Sequence, residues 1–370
     1  MKQLRIAFLK TTLHGTGGLE KYLLRLFDAL QKRGHAVTIL STTARQDLPV
    51  IQVCSRAHPT ALNMVWFDYH CRKFLHRHPH DVVVGFDRHF LPLSLYRAGN
   101  GCHAAFLRRR TEEGSFFKRL SLVLNPLHAL TRLSEYLTFE RCPPGAVICN
   151  SHLVANEILH HYPNASPQRI VVVHNGVEWN DLEAAFQEKM ITPRSLHSPA
   201  RLLFIGHEWE RKGLDRLLRA LALIHDQPFH LTAVGKERHG ERFARLAKKL
   251  GIADKVTLIP TAQPPAHFYG TADIAVIPSR YDPFANVTVE SLAMGLYVIT
   301  TKANGGAEAI LEGRTGTVLE ERSSERELAS AIAAALPLAH DTRLPYTIRD
   351  SVSEYDFSKK LLPYIALIER

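Results

Sequence analysis

The most informative stretch of the sequence is IPSRYDPFANVTVESLAMG, from Ile277 to Gly295. An apolar strand pattern ends at Ile277, an irregular loop follows, and a helical pattern then begins. Two acids, Asp282 and Glu290, stand on either side of this junction. Backbone N–H groups at a helix N-terminus are unpaired and carry the positive end of the helix dipole, so the junction suits an anionic ligand. The alternative is an ordinary strand–loop–helix turn in which Asp282 acts as a cap.

The composition is that of a soluble globular protein. The chain has 370 residues, of which 45% are hydrophobic and 22% charged, and this length favours two domains. No apolar run is long enough for a transmembrane helix, and the N-terminal MKQLRIAFLK reads as a first strand rather than a signal peptide. The five cysteines form no CxxC pair, which argues against a disulfide framework or a zinc site and for a reducing cytoplasm.

The net charge of +10 is concentrated in the first half of the chain. Residues 1–184 hold 22 Lys and Arg against 14 Asp and Glu, a net of +8, and 14 of the 21 histidines. Such a balance predicts an anionic partner: nucleic acid, phospholipid or a phosphorylated substrate. Because no nucleic-acid-binding motif accompanies the charge, we do not expect nucleic acid.

The first half alternates strand and helix patterns. An apolar run at 4–9 leads through Gly15, Gly17 and Gly18 into a helix with leucines at helical spacing, and a second strand follows. Glycines at this point allow a ligand to approach the backbone and the helix N-terminus, although they also serve as simple turn formers. The spacing is not GxGxxG and no acid ends the second strand, so a dinucleotide site is poorly supported.

Two later segments of this half carry candidate chemistry. The loop RAGNGCH, residues 97–103, places His103 after glycines, where it has either a substrate-binding or a structural role. Residues 104–141 interleave arginines with Phe and Leu, which predicts either a membrane-surface contact or a helix packed on the core. The expected membrane-contact residues are Arg108, Arg109, Arg110, Lys118 and Arg119.

The second half repeats the alternation after a segment, 178–199, that reads as a connector. A strand at 201–205 leads into a loop from Gly206 to Gly213 that contains Arg211 and Lys212 just before a helix. Two cations at a helix N-terminus suit a pyrophosphate, although a surface turn has the same composition. Gly235 ends the next strand, and a glycine loop at 304–308 precedes a further predicted helix.

Five motifs occur in an order that resembles the family 4 retaining glycosyltransferases of the GT-B fold, over essentially the whole chain. They are GGLE at 17–20, NGV at 175–177, the loop 206–213, the acid pair 282–290 and NGGAE at 304–308. The resemblance implies an α/β architecture of two Rossmann-like domains facing a central cleft, with the C-terminal helix crossing back to the first. The predicted domains are 1–178, with helix 353–370, for the acceptor and 179–352 for the nucleotide sugar.

Within that family the RAGNGCH loop, the YDPFANVTVE loop and the basic segment are similar to the lipopolysaccharide core glucosyltransferases. This resemblance implies metal-independent, retaining transfer of a hexose from UDP-glucose onto an inner-core heptose, by a peripheral enzyme on the inner face of the cytoplasmic membrane. The implied partners are a nucleotide-sugar donor, a lipid-linked oligosaccharide acceptor and an anionic membrane. Neither a cofactor nor a metal is expected.

The resemblance also assigns roles to residues. The protein would position the reactants and stabilise the departing diphosphate. Arg211, Lys212 and the N–H groups of Gly17 and Gly18 would hold the diphosphate, and Glu290 the ribose. Asp282 and the backbone after it would hold the hexose. The expected catalytic residues are His103, Asp282 and Asn100. The expected donor-binding residues are Gly17, Gly18, Gly206, Arg211, Lys212, Gly235, Asp282, Pro283, Phe284, Ala285, Asn286, Val287 and Glu290.

Two positions depart from the family pattern and keep alternatives open. Asn100 stands where the family has an acid, and Asp282 stands where Glu is usual. The alternatives are transfer to another lipid-linked or cell-surface glycan from a different UDP- or GDP-sugar, a UDP-sugar 2-epimerase, and an inactive nucleotide-sugar-binding paralogue.

Overall fold

The computed structural model describes residues 2–13, 18–45, 48–56, 60–113, 120–122, 124–192, 195, 198–260 and 265–370. The chain divides into two compact units, Met1–His174 with Leu361–Arg370, and Asn175–Lys360. The two Rossmann-like sheets predicted from the sequence are confirmed. The chain leaves the first unit four residues before the predicted boundary at 178 and returns eight residues after 353. These flanking segments bond to each other: Val177 N donates to Tyr355 O at 2.8 Å, and Phe357 N to Val177 O at 2.9 Å.

The first unit contains a parallel seven-stranded sheet in the order β3-β2-β1-β4-β5-β6-β7. Its strands are β1 (Arg5–Leu9), β2 (Ala36–Ser41), β3 (Val50–Gln52), β4 (Val82–Gly85), β5 (Leu95–Ala98), β6 (Ala146–Cys149) and β7 (Ile170–Val172). The helices among the described residues are α1 (Gly18–Lys32), α2 (Thr60–Arg77), α3 (His103–Glu113), α4 (Pro126–Tyr136) and α5 (His152–His161). A π-helical turn, Leu137–Arg141, extends α4.

Continuous apolar strands explain why this sheet is covered on both faces. Residues 6–9 of β1 are all fully buried, as expected for a central strand with helices on each side. Leu23, Leu26 and Leu30 of α1 are also fully buried, because their spacing places them on one face of the helix. Here local periodicity and tertiary packing agree.

The second unit contains a parallel six-stranded sheet in the order β10-β9-β8-β11-β12-β13. Its strands are β8 (Ala200–Ile205), β9 (Phe229–Val234), β10 (Val256–Ile259), β11 (Ile274–Ile277), β12 (Tyr297–Thr301) and β13 (Gly316–Leu319). The remaining described helices are α6 (Trp179–Ile191), α7 (Leu214–Ala222), α8 (Gly240–Lys249), α9 (Pro265–Gly270), α10 (Asn286–Ala293), α11 (Glu325–Ala335), α12 (Leu344–Ser351) and α13 (Phe357–Ile368).

Strand order reverses once in each sheet. In the first unit the reversal lies between β1 and β4, and in the second between β8 and β11. Successive connections run to opposite faces of the sheet at such a point, so the loops after these strands separate and leave room for a ligand. The fold therefore predicts ligand binding at the loops that follow these four strands.

Two local predictions were wrong. The supposed connector 178–199 contains α6, whose buried side chains include Leu182 and Phe186, four residues apart. Such a narrow apolar stripe is easily missed in a polar sequence. The glycine loop at 304–308 leads into a 3₁₀ turn, Gly305–Ala309, rather than an α-helix. Asn304 caps it by accepting a hydrogen bond from Gly306 N, and the chain then continues to β13.

The end of α13 belongs to the first unit. Tyr364 is fully buried there, with its ring centroid 5.7 Å from that of Tyr22. Glu369 accepts hydrogen bonds from Arg33 at 2.8 and 3.0 Å and lies 3.0 Å from the His35 ring. The chain therefore returns to the unit in which it began.

Replacing Tyr364 by Ala is expected to destabilise the protein by about 3–5 kcal/mol, because a large buried side chain is removed. Leu362→Ala is the control, since Leu362 is 57% exposed on the same helix and its loss should cost less than about 0.5 kcal/mol. Tyr364→Phe should cost little, because the Tyr364 hydroxyl is buried without a hydrogen-bond partner among the described residues. Chemical denaturation measures all three, and equal stability of the Ala variants would contradict the packing.

Candidate functional site

Glycines shape two neighbouring loops of the second unit, the loop after β8 at the switch point and the loop after β9 beside it. Gly206 follows β8 and Gly235 follows β9. Gly235 has a φ of +151°, and a Cβ built on it would lie 1.8 Å from the Gly206 carbonyl oxygen. A Cβ on Gly206 would lie 3.0 Å from the Lys212 side chain. Only glycine fits at Gly235, and this allows its backbone to approach that of Gly206 closely. The absence of a side chain at Gly206 in turn allows Lys212 to pack directly against the backbone.

Lys212 and Asp282 form an ion pair that joins the loop after β8 to the loop after β11. Both residues are buried. Arg211 Nη1 lies 3.5 Å from the same Asp282 oxygen and donates to the Tyr281 carbonyl at 3.1 Å. Arg211 Nε also donates to Glu208, which is mostly exposed. Two cations thus converge on one buried carboxylate. An anion with more charge than a carboxylate can take its place as their partner.

Asn304 holds the Asp282 loop in place. Its side-chain oxygen accepts hydrogen bonds from Ala285 N at 3.0 Å and Gly306 N at 2.9 Å. Its amide nitrogen donates to the hydroxyls of Thr288 at 2.8 Å and Thr300 at 3.0 Å. One fully used amide therefore connects the loop, α10 and β12. From the sequence, Asn304 is only the first residue of the NGGAE motif, and its bridging contacts depend on the tertiary structure.

The residues after Asp282 have different surroundings from one another. Phe284 and Ala285 are buried in the core of this unit, so their side chains do not face a ligand. Their backbone N–H groups bond to Asp282 Oδ1 at 3.2 Å and to Asn304 Oδ1. Pro283 has no N–H group. The predicted backbone contact with the hexose would therefore be made by the N–H groups of Asn286 and Val287, in the first turn of α10.

Glu290 lies within α10 and is half-buried. The Tyr269 hydroxyl donates a hydrogen bond to Glu290 Oε2. Burial and the Glu290 charge raise the pKa of Tyr269 well above its ordinary value, so Tyr269 remains a donor. The hydrogen bond orients the carboxylate that was predicted to hold the ribose. Nothing in the sequence had linked Tyr269 to this site.

The first unit has a corresponding ion pair at its own switch point. Lys10, next after β1, donates to Asp87 at 2.7 Å, and Thr11 N donates to the other Asp87 oxygen at 2.8 Å. Asp87 lies in the loop after β4. Burial opposes ionisation of Asp87, but the charge and hydrogen bond of Lys10, the nearby His89 and the Thr11 N–H together lower the pKa of Asp87 below its ordinary value. Asp87 therefore stays charged and fastens the two loops together.

His103 is the first residue of α3 and is positioned by Glu135. The buried Glu135 carboxylate accepts hydrogen bonds from His103 N at 2.7 Å, Arg88 Nε at 2.9 Å and the Tyr162 hydroxyl at 2.8 Å. The His103 ring lies 3.1 Å from the His128 ring nitrogen. Burial, with nearby cations, lowers the pKa of His103 to about 3. Its imidazole is therefore neutral at neutral pH.

Asn100 and Gly18 are the other predicted catalytic or donor-binding residues of the first unit that the structure describes. Asn100 is exposed in the turn before Gly101, which has a φ of +74°. An amide at this position cannot act as a general base. Gly18 begins α1, and Gly17 lies outside the described residues.

The predicted membrane-contact arginines are partly engaged within the protein. Arg109 donates to Glu157 at 2.6 Å, and both side chains are mostly buried. Arg108 is more exposed and donates to Glu112 at 3.0 Å. Arg110 lies over the Phe106 ring. Lys118 and Arg119 lie outside the described residues. Among the helices that the structure describes, none has the length and apolar character needed to cross a membrane.

Comparison with known proteins agrees with the two-sheet architecture. Residues 16–180 match the family model "Glycosyltransferase Family 4", and residues 199–337 match "Glycosyl transferases group 1". The chain is 26% identical over 340 residues to the lipopolysaccharide glucosyltransferase WaaG of Escherichia coli K12, covering 86% of each chain. It is 34% identical over 212 residues to D-inositol 3-phosphate glycosyltransferase 2 of Catenulispora acidiphila, spanning about half of that relative.

Solved structures show the same fold. The crystal structure of WaaG superimposes with a TM-score of 0.76 at 24% identity, covering 98% of both chains. Anabaena HepE, crystallised with UDP-glucose, superimposes with a TM-score of 0.71 at 16% identity over 99% of this chain and all of the other. With glycosyltransferase models matching both halves and a GT-B likeness along the whole chain, this protein belongs to the family 4 glycosyltransferases of the GT-B fold.

Proposed function

We propose that this enzyme transfers glucose from UDP-glucose, with retention of configuration, onto an inner-core heptose of lipopolysaccharide at the cytoplasmic face of the inner membrane. The observation that carries the donor half of this proposal is the convergence of Arg211 and Lys212 on the buried carboxylate of Asp282. The acceptor half rests on the likeness to a lipopolysaccharide glucosyltransferase along most of both chains.

Donor binding would proceed by exchange of anions. A diphosphate offers more charge and more acceptor oxygens than one carboxylate, so Arg211 and Lys212 would transfer their hydrogen bonds to it. Asp282 would then be released toward the hexose hydroxyls. Glu290, oriented by Tyr269, would accept from the ribose hydroxyls. That HepE, a protein of the same fold, was crystallised with UDP-glucose supports a UDP-sugar as the donor.

In the proposed reaction the bond from the sugar C1 to the diphosphate oxygen breaks, and a bond from C1 to the acceptor oxygen forms on the same face. The acceptor proton passes to the departing phosphate oxygen, so no protein base is needed. Arg211 and Lys212 stabilise the charge that develops on the diphosphate. The family resemblance assigns His103 a hydrogen bond to the sugar, and its lowered pKa would make it a neutral partner. The proposal needs no metal, and activity should persist in a chelator.

A second acceptor class is favoured by one observation. The chain is also similar, over about half their length, to transferases named for D-inositol 3-phosphate. A small phosphorylated polyol would suit the +8 charge of residues 1–184. Family membership gives no support to the 2-epimerase alternative.

The experiment that tests the proposed function is a donor panel. UDP-glucose, UDP-galactose, UDP-N-acetylglucosamine and GDP-mannose are incubated with the enzyme, first alone and then with heptose-terminated lipopolysaccharide or inositol 3-phosphate. We expect slow UDP release from UDP-glucose alone and faster release with the lipopolysaccharide. Acceleration by inositol 3-phosphate would select the second acceptor class. Absence of UDP release under all conditions would refute the proposal.

Lys212→Ala and Arg211→Ala are each expected to weaken UDP binding about tenfold or more. Each variant loses a charge-assisted contact of about 1.5–3 kcal/mol with the diphosphate. The matched control is Lys248→Ala, an exposed lysine of α8 in the same unit. Calorimetry with UDP measures the effect, and circular dichroism checks that Lys212→Ala folds despite leaving Asp282 unpaired. UDP binding unchanged in both variants would disprove the diphosphate role.

Asp282→Asn and Glu290→Gln should separate the two acids. Asp282→Asn releases Lys212 from its ion pair, so UDP should bind equally or more tightly while transfer falls, because UDP lacks the hexose. Glu290→Gln should weaken UDP itself through the ribose. Tyr269→Phe should have a smaller effect of the same kind, since it removes only the orienting hydroxyl. Titration with UDP and initial rates with UDP-glucose give both readouts. The opposite pattern would exchange the two roles.

A further inference from the structure

One face of α2 exposes a row of large apolar side chains. Leu62, Val65, Trp66 and Tyr69 are 57%, 45%, 47% and 58% exposed. Their spacing of three, one and three residues places them in a single stripe along the helix. Single exposed apolar residues are ordinary on a protein surface, but a contiguous stripe that includes Trp and Tyr indicates an interaction surface.

The opposite face of the same helix already provides the core contact. Phe67 and Cys71 are buried in a cluster with Leu9 and Leu40. The helix is thus fixed to the sheet by one face, and the exposed row is additional to what folding requires. A helix with apolar side chains on both faces is typical of an element that contacts something besides its own core.

Two cations continue the row toward the C-terminus of α2. Lys73 and Arg77 follow on the same face, with His76 beside them, and all three are exposed. The one acid of α2, Asp68, is buried, lies 2.7 Å from His89 Nδ1 and accepts a hydrogen bond from Phe90 N. The exposed face therefore presents aromatic and aliphatic groups at one end and cations at the other, without an acid.

The aromatic side chains of the row are already ordered. The Trp66 and Tyr69 rings stack with centroids 6.2 Å apart, and Trp66 meets the His70 ring edge-on at 4.5 Å. Trp and Tyr favour the water–lipid interface because each has an apolar body and a polar tip. Helix α4, which packs on α2, also exposes Leu133 and Tyr136.

We propose that this exposed face of α2 is the surface through which the enzyme binds an anionic phospholipid bilayer. Leu62, Val65, Trp66 and Tyr69 enter the boundary of headgroups and acyl chains, while the basic end of the helix lies over lipid phosphates. The proposal locates the membrane contact that the proposed function requires. It assigns that contact to α2 rather than to the arginines of α3, of which Arg109 is held by Glu157.

The test is sedimentation with vesicles of phosphatidylglycerol and phosphatidylcholine, compared with phosphatidylcholine alone. The full-length protein should bind the anionic vesicles, and less so as salt rises. Lys73→Glu with Arg77→Glu should weaken binding roughly tenfold or more, as should Trp66→Ser with Tyr69→Ser. Lys248→Glu with Lys249→Glu is the charge-matched control in the second unit, and Ile191→Ser with Leu223→Ser is the control for loss of exposed apolar groups.

Trp66 itself supplies a local readout. The other two tryptophans are Trp209, which is fully buried, and Trp179, which lies under the Arg349 guanidinium. Brominated lipid should therefore quench the emission of the wild-type protein, and Trp66→Phe should abolish that quenching while binding persists. Quenching unaffected by Trp66→Phe would overturn the proposal.

Four other results would also overturn it. In the first, the α2 variants bind vesicles as well as the wild type does; in the second, only Arg108→Glu with Arg110→Glu loses binding. In the third, the wild type binds neither kind of vesicle. In the fourth, the protein is a dimer in solution, and the Trp66 and Tyr69 substitutions dissociate it. The last would make α2 a contact between copies of the chain. UDP release from UDP-glucose without vesicles is followed in parallel. It should be unchanged in the α2 variants, and its absence in the wild type would refute the proposed function without affecting the vesicle result.

Discussion

An ion pair between a lysine and an aspartate joins the loops at which strand order reverses, and each unit has one. Lys10 reaches Asp87 in the first unit, and Lys212 reaches Asp282 in the second. The reversal sends successive connections to opposite faces of the sheet. Backbone hydrogen bonds from Phe86 N to Leu9 O and from Arg280 N to Arg211 O, each 3.0 Å, hold the chain together at these points, and the ion pairs add a charged side-chain link. The shape of both switch points depends on these contacts.

Such pairs are poor sources of stability, because removing two charges from water offsets much of their attraction. Their contribution here is that each cationic side chain is held in one position by its carboxylate. The two pairs also differ. Asp87 has a further hydrogen bond from Thr11 N that binds it to the loop after β1, whereas Asp282 shares its second oxygen only with the neighbouring Phe284 N among the bonds described.

The first unit also contains a buried carboxylate that organises several groups. Glu135 gathers Arg88, Tyr162 and the first N–H groups of α3, including those of His103 and Ala104. An acid at a helix N-terminus is favoured by the helix dipole. One consequence is that Arg88 is held near His103, which helps to keep the imidazole neutral. The electrostatics of His103 are therefore set from outside its own loop.

The sequence alone determined the alternation of strands and helices, the two parallel sheets, and the glycine, cation and acid motifs of the loops, because these depend on local periodicity and turn chemistry. It did not reveal α6, whose apolar stripe is narrow. Only the tertiary structure paired Lys212 with Asp282, 70 residues away, Glu290 with Tyr269, and His103 with Glu135. The sequence of α2 shows apolar residues all round the helix, and packing alone decided that Phe67 faces the core while Trp66 faces solvent. Contacts between distant residues, and the choice of which helix face is buried, depend on the other elements packed around each helix or strand. The local sequence pattern does not specify those neighbours.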